Sequence, residues 1–85
     1  MFYVYIIESV STFNWYYGYT ERLFERIIEH NYDSGHFTGG KGPWRLIFQR
    51  TFDNKKDALV FEKKLKKLRN KNYISRAFSE YFIKE

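Results

Sequence analysis

The sequence predicts an α+β fold: a three-stranded antiparallel sheet flanked by helices, in the order β-β-α-β-α-α. Three observations predict it. Aromatic and β-branched residues concentrate in three runs, over residues 2–8, 14–19 and 44–52. The first two runs are joined by a short Ser/Thr-rich link that suits a hairpin. After Thr20 and again after Asp53 the apolar period switches to that of a helix. A hairpin with separate helices favours a small α+β sandwich over a doubly wound parallel sheet.

Each element has its own warrant. Phe2 to Glu8 and Asn14 to Tyr19 supply the hairpin strands. Thr20 can cap a helix over Glu21 to Asn31, whose Leu23, Phe24, Ile27 and Ile28 form an apolar stripe. At about 100° per residue, Arg22 lies opposite that stripe, while Arg26 and His30, one turn apart, step round to its rim. A glycine-rich loop over residues 33–43 leads into the third strand, Trp44 to Phe52. Asp53 is placed to cap a second helix over Asn54 to Arg69. The pairs Tyr73/Ile74, Ala77/Phe78 and Tyr81/Phe82 recur every fourth residue and predict a short C-terminal amphipathic helix.

Composition narrows the function classes. Eighty-five residues suffice for one domain spanning 1–85, and with no cysteine neither disulfides nor thiolate-bound zinc can staple it. Eight Tyr, nine Phe and two Trp must therefore provide the buried surface. No run approaches the length of a membrane span and no signal peptide opens the chain, so a soluble, cytoplasmic protein is the expectation. Residues 1–52 carry five basic and five acidic side chains, whereas residues 53–85 carry ten and five, the whole of the net +5. Six basic residues and no acid fall between Lys63 and Lys71. Such a block attracts polyanions, although alone it also reads as a solvated helix face.

One residue breaks its local pattern. On the second helix Ala58, Leu59, Phe61, Leu65 and Leu68 share an apolar arc, and Glu62 falls inside it, about 40° from Ala58. Lys63, Lys64, Lys67 and Lys71 point away. An ionised carboxylate facing a core is costly unless it is paired or binds a metal. Lys66 and Arg69, four and seven residues on, offer the simpler explanation of a rim salt bridge.

Tyr3-Val4-Tyr5, Tyr16-Tyr17-Gly18, Arg26, His30 and Glu62 occur in that order on the predicted strands and helices. With these residues the chain resembles the GIY-YIG nuclease superfamily, in particular its small bacterial members. Tyr5 matches the last tyrosine of the first motif; Tyr16 and Gly18 match the first tyrosine and the glycine of the second. Arg26 has the spacing of the family's catalytic arginine. His30 falls where relatives carry Tyr or His, and Glu62 where they carry the metal-binding glutamate. Gly40-Lys41-Gly42-Pro43-Trp44 is similar to the loop before the third strand. Tyr3 and Tyr17 depart from the motifs, at side chains on which the chemistry does not depend. Family members of known target usually carry a second domain that selects it, and with the resemblance covering nearly all of residues 1–85 none is expected within them.

The resemblance implies a divalent-metal-dependent endonuclease that hydrolyses phosphodiester bonds in DNA, with RNA left open. Glu62 would ligate Mg2+ or Mn2+, Arg26 would clamp the scissile phosphate, and Tyr5 and Tyr16 would order the attacking water. A phenol of pKa about 10 is a poor base, and an imidazole near neutrality an easier one; the sequence leaves Tyr5, Tyr16 and His30 all open for that role. Gly18 reads as a structural residue beside the tyrosines. Lys41, Lys63, Lys64, Lys67 and Lys71 are the expected nucleic-acid contacts. Two other readings compete: a non-catalytic nucleic-acid-binding module, and a protein-interaction domain docking through the C-terminal helix. Gly35 to Lys41 imitates the start of a nucleotide-binding loop, but Gly42 stands where Ser or Thr is needed and no strand precedes it, so no nucleotide cofactor is expected.

Overall fold

The computed structural model describes residues 1–32 and 42–84. Its elements are β1 (Phe2–Ser9), β2 (Trp15–Thr20), α1 (Leu23–Tyr32), β3 (Trp44–Phe52), α2 (Lys55–Leu68), α3 (Lys71–Ala77) and a 3-10 turn, Ser79–Tyr81. The sheet is three-stranded and antiparallel, as expected from the sequence, and its strands lie in the order β2-β1-β3. Lys41 and the phosphate-loop imitation lie outside the described residues.

The central strand alternates between two faces, as a pleated strand buried on both sides must. Val4 and Ile6 enter one cluster with Phe48, Ala58, Phe61, Leu65 and Ile74, beneath α2 and α3. Tyr5 and Ile7 enter the other with Leu23 and Trp44, beneath α1. Each fully buried aliphatic side chain of this kind contributes about 1.5–3 kcal/mol relative to exposure. Arg50 lies over Phe52, Phe61 and Tyr81, its guanidinium carbon 4.6–4.9 Å from each ring centre, so an arginine stem closes the first cluster at the surface.

The helix ends follow local hydrogen bonding. Thr20 Oγ1 accepts from the backbone N–H of Arg22 at 3.0 Å, just ahead of α1. Asn54, and not Asp53, caps α2: its Oδ1 accepts from the Asp57 N–H at 2.8 Å while its Nδ2 donates to the Asp57 carboxylate at 3.0 Å. An amide can do both at once, which a carboxylate cannot. Asn70 caps α3 in the same way, through Tyr73 N.

Two packing expectations are corrected. Leu23 is buried and Ile27 partly so, but Phe24 and Ile28 are 75% and 56% exposed. The stripe touching the sheet is narrower than the apolar sequence pattern. The C-terminal helix stops at Ala77, earlier than its periodicity suggests. The chain then passes through the 3-10 turn and pairs Phe82 against Phe48 on β3, with Ile83 N–H donating to Ile47 C=O at 2.9 Å. Ile74 is buried, and Phe78, Tyr81 and Phe82 pack on the first cluster. The segment closes the core and covers the β3 edge, and so does not present the docking face of the interaction reading.

Candidate active site

β2 forms the opposite edge of the sheet, and there the two faces can communicate. Tyr5 on β1 stands opposite Gly18 on β2, and Ile7 opposite Tyr16. Tyr5 and Tyr16 therefore lie diagonally on the α1 face, within reach of each other's long side chains. Gly18 makes room for the inner ring. A Cβ built there would come within 2.5 Å of Tyr5 Oη and 2.6 Å of its Cζ. Any side chain at position 18 would displace the Tyr5 ring.

A cavity of about 450 Å3 opens at this edge, and Tyr5, Tyr16, Arg26 and Glu62 all line it. Two tyrosines come from the sheet, the arginine from α1 and the carboxylate from α2. Glu62 is 9% exposed, in keeping with its place inside the apolar arc. Lys66 Nζ stands 3.5 Å from Glu62 Oε1, so the rim salt bridge also forms. Both readings of Glu62 describe it. Arg26 is half-exposed, with its Nε 3.8 Å from Glu29.

His30 does not line the cavity. It stands behind the tyrosines: Nε2 shares a 2.8 Å hydrogen bond with Tyr5 Oη, and its ring centre is 4.7 Å from that of Tyr16. Burial pushes the Tyr5 phenol far above the ordinary tyrosine range; the Tyr16 side chain adds to this, and the nearby Arg26 offsets only part of it. Tyr5 is consequently a protonated phenol at neutral pH.

Two cavity residues escaped the sequence reading. Arg22 lines the cavity with Arg26, one turn away, and Lys55 lines it with Glu62, two turns away. The signal was available as helical spacing, since i, i+4 and i, i+7 residues share a face. The helical wheel sets Arg22 opposite the apolar stripe, but of that stripe only Leu23 and Ile27 meet the sheet, and Arg22 reaches the cavity with Arg26. By contrast Lys63, Lys64, Lys67 and Lys71 do not line the cavity. Lys64 lies over Phe78, and Lys71 donates to the Phe13 carbonyl at 2.6 Å.

Among the described residues no group of three or more His, Cys, Asp or Glu stands together. The donor set is one buried carboxylate at the wall of a cavity that also holds two phenols and a guanidinium. That fits a hard, largely hydrated ion such as Mg2+ or Mn2+, which is held by one or two carboxylates and the substrate's own phosphate. It does not fit a closed zinc centre.

Two phenols, a guanidinium and a carboxylate thus meet at the edge of a three-stranded antiparallel sheet, in a small α+β domain. Residues 1–75 match the profile of the GIY-YIG catalytic domain, and the chain belongs to that nuclease family. It is similar to UPF0213 protein BH0048 of Halalkalibacterium halodurans, 39% identical over 67 residues, covering 78% of this chain and 70% of that protein. UPF0213 protein CPE1444 of Clostridium perfringens is 37% identical over 86 residues, covering 100% and 90%. The solution structure of the BH0048 protein superposes with a TM-score of 0.57 at 34% identity, over 93% of this chain and 84% of that one. Among the described residues no helix is long and apolar enough to cross a membrane.

Proposed function

We propose that this protein is a divalent-metal-dependent endonuclease hydrolysing phosphodiester bonds in DNA, its machinery contained in residues 1–85. The observation that carries this reading is the convergence of Tyr5, Tyr16, Arg26 and Glu62 on one cavity. Glu62 would hold Mg2+ or Mn2+. When bound, such an ion stabilises charge on phosphate oxygens and makes water more acidic.

The remaining work falls to the chain. Arg26 presents a planar guanidinium that can clamp two phosphate oxygens in parallel, and Arg22 adds a second positive charge on the same helix face. Tyr16 and Tyr5 orient the attacking water by their hydroxyls. Tyr5 is too weakly acidic to serve as a phenolate base, so its hydroxyl passes its proton to His30 Nε2 as it takes one from the water. His30 ends as imidazolium and the water oxygen as the nucleophile towards phosphorus. Lys55 would contact a flanking phosphate, with the exposed Lys63, Lys64, Lys67 and Lys71 supplying weaker, longer-range attraction.

The pairing of Glu62 with Lys66 is the one feature favouring a non-catalytic binding module. A partly exposed i, i+4 pair is worth only about 0.3–0.5 kcal/mol, far less than a cation and phosphate together can offer the carboxylate. The test is cleavage of plasmid and oligonucleotide DNA with Mn2+ by the wild-type protein and by Glu62→Gln. Nicking by the first and loss of about 100-fold or more in the second is expected, as for removal of a key electrostatic group. Equal rates would exclude this site, and binding without cleavage under any divalent ion would favour the non-catalytic module.

A further inference from the structure

Beside the cavity, on the α2 side of β2, runs a second groove of about 460 Å3 lined by Trp15, Tyr16, Tyr17, Lys66, Arg69 and Lys71. Its composition is unusual for a surface depression: Trp15 and Tyr17, alternate residues on one face of an edge strand, stand with Tyr16 at the strand edge beside three cations from the end of α2 and the start of α3. Among the described residues no acid lines it. The three rings are each partly exposed. Trp15 is held in place, its Nε1 donating to Glu8 Oε2 at 3.0 Å while Arg45 donates to the other oxygen of the same carboxylate at 3.0 Å. Lys71 Nζ stands over the Trp15 ring, 5.2 Å from its centre. Burial pushes the Tyr17 phenol up, and Arg69 beside it pulls the other way. Two residues join the groove to the cavity: Tyr16 lines both, and Lys66 reaches Glu62.

We propose that the Trp15–Tyr17 groove is a subsite for one unpaired nucleotide next to the scissile phosphate, its base on the aromatic rings and its phosphate on Arg69 and Lys71. This rests on the reading of the adjacent cavity as the cleavage site. Fixed, part-exposed rings accept any base by its π-face, and a cationic rim takes the phosphate without reading sequence. Arg69 is set for this by the helix end: its backbone is left-handed, at φ 48°, and its Nε donates to Lys66 C=O at 3.1 Å. The Lys71 ammonium donates to the Phe13 carbonyl and stands over the Trp15 ring, and with three N–H donors on a flexible stem it can also take a phosphate. A fully paired base cannot reach the groove without leaving its stack, at a cost of a few kcal/mol. The substrate class is therefore DNA with an unpaired base flanking the cut, whether single-stranded, flapped or bulged.

The test uses the Glu62→Gln protein, so that binding is read without turnover, and a short oligonucleotide carrying 2-aminopurine. Expected are quenching of the 2-aminopurine on binding, and single-stranded DNA bound about tenfold more tightly than the blunt duplex at equal salt. An abasic position in place of the probe should cost about tenfold in affinity. Trp15→Leu should abolish the quench, and Arg69→Asn, which tolerates the left-handed backbone, should weaken binding and reduce its salt dependence. The abasic arm needs no substitution in the groove and stands if Trp15→Leu does not fold. Equal affinity for duplex, abasic and single-stranded DNA, with no quench, would overturn the subsite. Cleavage by wild-type protein with no preference for unpaired DNA would also remove it while leaving the nuclease reading intact. Quenching by a protein that cuts nothing would keep the subsite and remove the cleavage reading.

Discussion

Gly18 faces Tyr5 across the β1–β2 ladder, and the Tyr5 ring occupies the space a Gly18 side chain would need. The hydroxyl that meets His30 is positioned by an absence on the neighbouring strand. Gly18→Ala would force the ring aside, because both Oη and Cζ lie closer than any Cβ contact tolerates. A loss of about 1–3 kcal/mol in urea denaturation is expected, as for other overpacked cores. Removing the hydroxyl as well, in Gly18→Ala/Tyr5→Phe, should recover only part of it, since Cζ still clashes.

Arg26 should separate activity from stability. It is half-exposed and its pairing with Glu29 is long, at 3.8 Å, so Arg26→Ala should change the unfolding free energy by less than about 1 kcal/mol. Cleavage should fall by about 100-fold or more. Arg26→Lys should rescue little, because one ammonium does not reproduce a planar two-donor clamp. Rates and denaturation curves on the same three proteins check this.

Alkaline pH should expose the Tyr5 shift. Its folded-state pKa is raised by burial, so the contribution is fully present below the unfolded value of about 10 and is lost as pH rises beyond it. Thermal melts between pH 9 and 11 should show falling stability. Tyr5→Phe should blunt that fall without removing it, because the Tyr17 phenol is raised too. A wild-type cleavage rate that climbs tenfold per pH unit up to pH 10 would mean that a phenolate is the base after all.

Glu8 works on the acid side. Burial alone would raise its carboxyl, but hydrogen bonds from Trp15 and Arg45 outweigh that and hold it below the ordinary range. A depressed carboxylate stabilises the fold above its unfolded pKa, about 4.3, and the contribution disappears as pH falls through the folded value. Melts of Glu8→Gln below pH 5 should therefore be flatter than wild type. Should the groove be a nucleotide subsite, the same variant would also loosen Trp15.

Arg22 and Lys55 offer a test of the cavity's electrostatics. Each Ala substitution should weaken DNA binding uniformly across sequences and reduce the slope of log affinity against log salt by about one. Filter binding or anisotropy over a salt series reads this directly.

Most of the fold was legible in the sequence because its elements are written in local periodicity. The three strands, the order of the helices and the anomaly of Glu62 all follow from alternation or from a helical wheel. What was not legible depends on tertiary packing. Phe24 and Ile28 carry the apolar pattern of a buried stripe, yet only Leu23 and Ile27 meet the sheet, and no local rule sets that width. Asn54 took the cap from Asp53 through a two-way hydrogen bond that composition does not rank. Among the candidate site residues, motif spacing singles out Tyr5, Tyr16, Arg26 and Glu62, which line one cavity. Arg22 and Lys55 carry only the helical spacing to Arg26 and Glu62 as a signal, and spacing alone does not say which neighbours a cavity takes in. His30 lies one turn from Arg26 but does not line the cavity with it; that it stands behind Tyr5 depends on how α1 crosses the strand.

The most direct test is an anomalous-scattering measurement on crystals soaked with Mn2+ and a phosphorothioate oligonucleotide. The expected result is a manganese peak about 2.0–2.3 Å from a Glu62 carboxylate oxygen, with a phosphate between it and Arg26 and the Lys66 ammonium displaced. Manganese bound elsewhere, with Glu62 still paired to Lys66 and no phosphate near Arg26, would contradict the metal-dependent cleavage site.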